Sequence, residues 1–552
     1  MTVPTSIAAT AERARHRAPG TRRVPGAAPA AGIALMTALL FLAYLRQSQH
    51  IPVRSDGGSI ALQAWDMGHG NLLLHGWAMS DVSFWSTELV QYVLLEAVAG
   101  LTPNLIHIGG AMTYTLLVLL AAYLARGRAT GREGTARAVI TVLIMLAPAP
   151  GASATLLLTP DHLGSAVPVL LAWLAAERLP GRGWWPPAAV ALLLTWGQVA
   201  DGLVLITGAA PMAVACGARA WAARRHRPRT DLGSPRTDLG LPGPELRQPG
   251  ASLALAAAAI VSVGLARAAE AVIRRSGGFV LKPVAARFAG LPAMPHHLTV
   301  ITEGVLALFG ADFSGPHSRA GLAIAALHLI TAAAAGVAVL IALSRLGRGQ
   351  EPAVPALALA IVFNITAFLP TPYVQNLLST REISAILPFG AVLAGRVLAA
   401  PLARALGGKR LAAVLAAAGT ACAVALGYHA AQPAVPAQNQ PLASWLAARH
   451  LSAGLSADYW VANSTTLDAG GRITVRQVSL RYRVLARPLS WGFKQDWYDP
   501  AASYANFLVA SDKSPGGWGA AAFRTFGPPA QTLHLAGYTV LVWHKNLLAD
   551  VR

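Results

Sequence analysis

Residues 55–77 read SDGGSIALQAWDMGHGNLLLHGW, and two acids, Asp56 and Asp66, stand among glycines, histidines and tryptophans. An apolar run at 29–47 ends only a few residues before this stretch. Because the run lacks a small-residue cleavage site, we interpret it as an uncleaved first membrane helix, with a cleaved signal peptide as the alternative. The side of the membrane that this stretch faces therefore decides what its two acids can do.

The composition is typical of a membrane protein. Hydrophobic residues make up 54% of the 552 residues and charged residues only 12%, whereas soluble domains carry roughly 25% charged residues. The formal net charge of +20 does not indicate nucleic-acid binding, because most Arg residues fall in short clusters between apolar runs. The two cysteines lie within apolar runs and predict no disulfide framework.

Eleven apolar runs approach the ~20 residues that a membrane-spanning helix needs. They lie at 29–47, 104–125, 138–157, 162–178, 186–200, 202–221, 251–272, 320–343, 353–371, 384–400 and 411–428. Arg residues cluster in alternate connections, while the turns at 159–162 and 198–201 contain neither Arg nor Lys. Because positive residues concentrate in cytoplasmic loops, we predict a multi-pass plasma-membrane protein with its N-terminus in the cytoplasm and its C-terminus outside.

The same alternation divides the chain into three parts. We predict an Arg-rich cytoplasmic tail over residues 1–28, a transmembrane domain over 29–428 and a small extracytoplasmic α/β domain over 429–552. Within the transmembrane domain, residues 47–103 are predicted to form the first extracytoplasmic loop. Residues 222–250, rich in Pro, Gly and Arg, predict a disordered cytoplasmic linker.

Local patterns predict further elements outside the membrane. Residues 84–101 are amphipathic at helical spacing, and we expect either a helix on the membrane surface or a soluble helix that caps the loop. A helix is predicted at 441–451, and strands are predicted at 457–463, 472–478, 506–511 and 538–545. We expect most tryptophans of the C-terminal part to pack in its core, with stacking on sugars as the alternative.

The predicted extracytoplasmic loops collect polar side chains near the membrane surface, where ionisable groups are costly and usually functional. They are Asp56, Asp66, Asp81, Glu88, Asp161, His162, Asp201, Glu303, Asp312, Arg381 and Glu382. No metalloenzyme spacing such as HExxH occurs, and the acids lie at the ends of the runs rather than at the midplane that a transporter would use. Group transfer at the membrane surface fits best, with a carboxylate as general base and cations on a phosphate.

The stretch 55–77, the motif TPDHLG at 159–164 and the arrangement of the runs resemble the GT-C glycosyltransferases. These include protein O-mannosyltransferases and aminoarabinose transferases, and the Ala, Gly and Arg content resembles that of actinobacterial proteins. The resemblance implies inverting transfer of a hexose or pentose from a polyprenyl-phosphate donor to an extracytoplasmic glycan, lipid or protein. It assigns Asp56 as the general base. We predict that contacts with donor and acceptor come from Asp66, Asp161, His162, Asp201, Arg381 and Glu382.

Two features depart from the family pattern. Asp56 is followed by Gly57 and Gly58 rather than by the Glu of protein mannosyltransferases, and no DxD motif stands in a predicted outer loop. We therefore assign no metal ligand and no cofactor, although a divalent cation is compatible with the acids. Arg381 has an alternative interpretation as an interfacial snorkelling residue. The alternatives to an enzyme are a lipid-linked sugar flippase or polysaccharide export component, and a non-catalytic scaffold of the same fold.

Overall fold

The computed structural model describes residues 27–53, 55–158, 161–179, 183–225, 249–282, 287–313, 319–348, 351–488, 491–514 and 516–551. The predicted cytoplasmic tail, apart from its last two residues, and most of the predicted linker at 222–250 lie outside these ranges. Arg54, Thr159 and Pro160, which adjoin candidate site residues, lie outside them as well.

Helices occupy the predicted apolar runs, and three further helices lie outside those runs, at residues 55–68, 88–99 and 294–308. Before residue 226 they are α1 (Ala27–Ser48), α2 (Ser55–Gly68), α3 (Glu88–Ala99), α4 (Asn104–Arg126), α5 (Gly131–Met145), α6 (Pro150–Leu157), α7 (Ala166–Arg178), α8 (Trp185–Ala200) and α9 (Ala210–Arg225). After residue 248 they are α10 (Pro249–Arg275), α11 (Met294–Leu308), α12 (Arg319–Ser344), α13 (Ala353–Phe368), α14 (Ile386–Leu406) and α15 (Gly408–Ala430). Short 3-10 segments precede α7 (His162–Ser165), α11 (Leu291–Ala293) and α14 (Leu377–Ile383), and a π-helical turn (Leu205–Ala209) precedes α9.

Six of these helices are long and apolar enough to cross a membrane, namely α1, α4, α10, α12, α14 and α15. The pair α5 and α6 makes a seventh if it is counted as one span. Such a set identifies a membrane protein. The predicted number of eleven spans stays a prediction, because α7, α8, α9 and α13 have only 13 to 16 residues each, fewer than the ~20 that a bilayer requires.

The predicted run at 138–157 is not one straight helix. Its two parts, α5 and α6, are bent by 105°. Pro148 lies in the break and Pro150 begins α6. A proline has no N–H to donate and disfavours helical geometry in the residue before it, so the two prolines end α5 and restart the chain in a new direction.

The bundle packs around α14, in which every residue from Ile386 to Val397 is buried. It contacts α4, α5, α12 and α13. Gly395 lets α5 come close, since a Cβ at this position would lie 2.4 Å from the backbone oxygen of Arg137. Because α14 follows directly on the 3-10 segment Leu377–Ile383, this packing also fixes the position of that segment.

Helix α3 lies within the segment predicted to be amphipathic. It buries Leu89 and Tyr92, and its exposed residues include the apolar Val90, Leu94 and Val98. An apolar exposed face is what a helix lying on a membrane surface presents. The exposed side chains therefore favour the membrane-surface interpretation over a soluble cap.

A mixed five-stranded sheet forms the centre of the C-terminal part. The strands in the described ranges are β1 (Trp77–Ala78), β2 (Ala453–Ser456), β3 (Thr474–Gln477), β4 (Ser479–Arg481), β5 (Val484–Ala486), β6 (Phe493–Lys494), β7 (Phe507–Ser511), β8 (Gln531–Leu535) and β9 (Tyr538–Val542). The sheet order is β3-β2-β7-β9-β8, parallel among the first three and antiparallel thereafter. Three helices accompany it, α16 (Gln440–Ala448), α17 (Tyr459–Asp468) and α18 (Trp518–Phe526).

The predicted strand at 457–463 is wrong, whereas the other three predicted strands contain β3, β7 and β9. Residues from Tyr459 onward form α17 instead. Asp458 precedes the helix, and its Oδ1 accepts a 2.9 Å hydrogen bond from the backbone N–H of Trp460. Such a cap satisfies one of the free N–H groups at a helix start and stabilises the helix over a strand.

Helix α17 packs against α2, which joins the C-terminal part to the stretch 55–77. Ser55 Oγ donates a 2.6 Å hydrogen bond to the carbonyl of Tyr459, and Asn463 Nδ2 donates one of 2.8 Å to Ser59 Oγ. Gly58 makes the approach possible, since a Cβ there would lie 3.0 Å from the backbone of Asn463. Strand β1 also pairs antiparallel with β6. The first loop and the C-terminal part thus form one structural unit.

Candidate active site

Asp56 lies in the first turn of α2, and two residues distant in the chain contact its carboxylate. The Tyr459 hydroxyl donates a 2.5 Å hydrogen bond to Oδ1, and Arg381 Nη1 lies 3.4 Å from Oδ2. The N-terminus of α2 adds partial positive charge that favours a carboxylate. The Asp56 side chain is still 29% exposed, so the carboxylate is held in place and yet accessible.

Arg381 links Asp56 to two further acids. Its Nη1 lies 3.9 Å from Asp161 Oδ1, and its Nε lies 3.7 Å from Glu382 Oε1. The 3-10 segment that carries Arg381 starts at a fixed point, because the Asn376 side chain accepts a hydrogen bond from the backbone N–H of Leu378. These long distances and an exposure of 35% leave the guanidinium open to another anion.

His162 lies between two carboxylates. Its Nδ1 is 2.8 Å from Asp201 Oδ2, and its Nε2 is 3.1 Å from Glu382 Oε2. A neutral imidazole has only one N–H, so two carboxylate partners require both ring nitrogens to donate and the ring to carry a positive charge. Asp201, at the end of α8, also accepts a hydrogen bond from the backbone N–H of Leu203. The site thus contains two cations, Arg381 and His162, that share Glu382.

Two buried carboxyl groups hold protons at this site more readily than usual. Burial raises the pKa of Asp161 to about 8, against the opposing effect of Arg381 and His162. Burial also raises the pKa of Glu88 to about 7, against a hydrogen bond from the Thr87 hydroxyl. Glu88 packs directly on the backbone of Gly164, where a Cβ would overlap its Oε1. The glycine of the TPDHLG motif therefore makes room for a carboxyl group of the first loop.

Asp66 lies in a different cluster. Its Oδ2 accepts hydrogen bonds from Asn71 Nδ2 at 2.6 Å and Trp77 Nε1 at 2.7 Å, and Lys494 Nζ lies 3.2 Å away. It stands ten residues after Asp56 on one helix, which corresponds to ~15 Å. Asp66 therefore ties the first loop to β6, and it lies apart from the other candidate residues.

The remaining acids of the predicted set are divided. Asp81 is exposed near the site, where partial desolvation raises its pKa and it interacts electrostatically with His162, Glu382 and Asp201. Asp312 instead accepts a 3.1 Å hydrogen bond from the backbone N–H of Gly151, in the first turn of α6. Glu303 is exposed on α11.

Tyr459 is the site residue that sequence reasoning missed. It lies 403 positions from Asp56 in the chain, in a segment that was predicted to be a strand. Burial raises the pKa of its hydroxyl well above the usual value, and the neighbouring Asp56 carboxylate adds to this shift. The hydroxyl therefore keeps its proton and donates it in a hydrogen bond to Asp56. The capping residue Asp458 was the local signal that could have placed Tyr459 at a helix start.

Within the described ranges, no group of three or more His, Cys, Asp or Glu side chains is arranged to hold a metal ion. The carboxylates that could contribute ligands already contact Arg381 and His162. A divalent cation would have to displace these internal cations to bind.

Comparison with known proteins identifies a shared fold. No family model and no curated protein matches the sequence. Among solved structures, this chain is similar to the crystal structure of ArnT from Cupriavidus metallidurans bound to undecaprenyl phosphate. The alignment covers 94% of this chain and 98% of the ArnT chain, with a TM-score of 0.53 and 12% identity. The two chains share a fold. At this identity the likeness concerns the fold, which agrees with the multi-helix architecture predicted from the apolar runs. In this ArnT-like fold, Asp56, Asp161, His162, Asp201, Arg381 and Glu382 lie together.

Proposed function

We propose that this protein transfers a sugar from a polyprenyl-phosphate donor to an acceptor hydroxyl outside the membrane. The observation that carries the proposal is the accessible pair of Asp56 and Arg381, 3.4 Å apart. The ArnT-like fold supports the choice of donor, because the ArnT crystal structure contains undecaprenyl phosphate. A carboxylate beside a guanidinium supplies a proton acceptor and a phosphate ligand in one place.

In the proposed reaction Asp56 accepts the proton of the acceptor hydroxyl. The oxygen of that hydroxyl attacks C1 of the donor sugar at the same time. The bond between C1 and the phosphate oxygen breaks, and the electron pair leaves with polyprenyl phosphate. A single displacement of this kind inverts the configuration at C1. Tyr459 and Arg381 hold the Asp56 carboxylate in position, and Arg381 also offsets the charge that develops on the leaving phosphate.

The other clustered residues complete the proposed phosphate site around Asp56 and Arg381. His162, held by Asp201 and Glu382, adds a second positive charge on the donor side. Asp161, protonated near neutral pH because burial raises its pKa to about 8, can donate a hydrogen bond to a phosphate oxygen rather than repel it. The proposed phosphate ligands are therefore Arg381 and protonated Asp161, and His162 contributes only its positive charge, because both of its N–H groups already donate to Asp201 and Glu382.

We also propose that this cluster faces outward, with the N-terminus in the cytoplasm. The acids of the predicted outer loops meet at one end of α7 and α14. Near the other end of α7, Arg137 and Arg178 of the predicted inner loops lie with Arg396 from the middle of α14. A reporter enzyme fused after residue 430 is expected to be active outside, and one inserted at residue 235 in the cytoplasm. The opposite pattern would contradict this orientation.

Turnover by the purified protein tests the function. The full chain in lipid nanodiscs is incubated with a panel of polyprenyl-phosphate hexoses and pentoses, and released polyprenyl phosphate is measured with and without envelope extract as acceptor. Release that depends on Asp56 supports the enzyme. Movement of the intact donor between leaflets of a vesicle, without release, would instead support a flippase. Donor binding without either process would support a scaffold.

A further inference from the structure

Two exposed tryptophans flank Tyr459, the residue that donates to Asp56. Trp460 is 48% exposed and Trp491 is 40% exposed, whereas Trp445, Trp497, Trp518 and Trp543 of the same part of the chain are at least partly buried. Packing in the core was the expectation for most of these tryptophans. The two exposed tryptophans are the two in ring contact with Tyr459. Core packing therefore does not explain their position beside the site.

A hydrogen bond fixes the indole of Trp491, and both indoles make ring contacts with Tyr459. Trp491 Nε1 donates a 3.1 Å hydrogen bond to the Tyr459 hydroxyl, which in turn donates to Asp56. The ring centroids of Trp491 and Tyr459 lie 6.1 Å apart, and those of Trp460 and Tyr459 lie 5.2 Å apart, both in edge-to-face geometry. Trp491 is thus held two hydrogen bonds away from the proposed base, with a large part of its surface left uncovered.

We propose that Trp491, with Trp460 beside it, forms a binding platform for a saccharide unit of the acceptor. The apolar C–H face of a sugar ring packs on an exposed indole, while the hydroxyl groups at the ring edge need polar partners, which Tyr459 and Asp56 supply. This inference rests on the proposed function, and it narrows the acceptor from a glycan, lipid or protein to a glycan.

The hydrogen bond of Trp491 argues for a saccharide rather than for lipid. A tryptophan that anchors a protein at the membrane surface directs its polar N–H toward the interface. Here the N–H points inward to Tyr459, and the exposed remainder of the ring stands next to a charged, half-open site. Rigid aromatic side chains of this kind provide contact area at little cost in conformational entropy.

Saccharide binding in the absence of donor tests the platform. The full chain in nanodiscs is mixed with maltotriose, cellotriose and α-1,6-mannotriose in turn, and binding is measured by saturation-transfer NMR. At least one trisaccharide is expected to bind the wild type. Trp491→Ala is expected to weaken that binding about tenfold, and Trp491→Phe, which keeps an aromatic face but lacks the N–H, about threefold or less.

A matched control separates the platform from general exposure of aromatic rings. Phe523 is exposed on α18 of the same part of the chain, and Phe523→Ala is expected to bind like the wild type. Equal binding by wild type and Trp491→Ala overturns the proposal, and so does the absence of binding to all three trisaccharides. Loss of binding in Trp491→Phe as severe as in Trp491→Ala also overturns stacking, because it makes the N–H decisive.

The outcome is distinguishable from that of the transfer assay. Saccharide binding through Trp491 in a protein that releases no polyprenyl phosphate would leave the platform standing and remove the proposed function. Donor turnover that does not depend on Trp491, in a protein that binds none of the three saccharides, would support the proposed function and overturn the platform. Quenching of Trp491 fluorescence by brominated lipid, measured as the difference between wild type and Trp491→Phe, would assign the residue to the membrane and overturn the platform.

Discussion

Two charged clusters, called outer and inner after the proposed orientation, lie at opposite ends of α7, about 20 Å apart along the helix. The outer cluster contains Asp56, Asp161, His162, Asp201, Arg381 and Glu382. The inner one centres on Arg396, whose two terminal nitrogens bind the two oxygens of Glu177 at 2.6 and 2.7 Å. Similar residue types therefore form two different structures, one near each end of α7.

The two clusters differ in how much of each ion pair is exposed and in how closely the opposite charges approach each other. Arg396 and Glu177 have side chains that are 1% and 9% exposed, and Arg396 also donates to the carbonyl of Leu124 and contacts Glu351. In the outer cluster Arg381 lies 3.4 to 3.9 Å from its three acids and is partly exposed. A closed, fully hydrogen-bonded ion pair holds a structure together, whereas an open one leaves charge available to a ligand. This contrast predicts opposite responses to mutation.

The largest effect is expected from Asp56→Asn on turnover. A positioned general base typically contributes 10²–10⁴-fold, and asparagine keeps the size of the side chain but cannot accept the proton. Turnover should fall by about that factor, while donor binding and the melting temperature change little. Asp66→Asn is the control and should cost less than tenfold. Normal turnover in Asp56→Asn would contradict the assignment of catalysis to the outer cluster, which would then differ from the inner cluster only in exposure.

The inner cluster should respond through stability. Arg396→Met leaves Glu177 buried without its partner, and breaking a buried ion pair costs about 3–5 kcal/mol. We expect a clear drop in melting temperature in detergent. The double variant Arg396→Met/Glu177→Leu removes both charges and should recover much of the loss. If the single variant melts like the wild type, the closed pair has no structural role.

A smaller loss of stability is expected for Asp66→Asn. The amide can still accept a hydrogen bond from Trp77, but it loses the charge that attracts Lys494, which leaves a partly buried ammonium group less well paired. We expect a cost of about 1–3 kcal/mol, together with faster proteolysis within residues 440–551. Proteolysis at the wild-type rate would show that the pairing of β1 with β6 does not need this ion pair.

The last expected effect concerns pH. The pKa of Asp161 is about 8 in the folded protein and near the ordinary carboxyl value when unfolded. The native state therefore holds a proton that the unfolded chain has released, so this contribution to stability is complete below about pH 4 and is lost as the pH rises toward 8. Between pH 5 and 8 the melting temperature of the wild type should fall by a few degrees more than that of Asp161→Asn. Parallel curves would mean that Asp161 is ionised in both states.

Much of the outer cluster could be anticipated from local patterns. Lys and Arg clusters between apolar runs indicate which loops share one side of the membrane, and six of the seven predicted site residues do lie together. Asp66 does not, because α2 continues through the first half of the stretch 55–77 and three helical turns carry Asp66 away from Asp56. The glycines of this stretch, Gly57 and Gly58, are typical of a loop, yet Gly58 is needed for the close packing of α17.

By itself, the sequence determined that this chain enters a membrane, where its helices run and which acids share a side, because hydropathy and charge act over a few neighbouring residues. The bend between α5 and α6 could also be anticipated from the sequence, because Pro148 and Pro150 interrupt a helix. Only the tertiary structure decided that Tyr459 reaches Asp56, that Trp491 stands exposed beside it, and that Arg396 closes on Glu177. Each of these contacts joins residues separated by tens to hundreds of positions. They exist because packed helices bring distant segments together, and no local pattern records that packing.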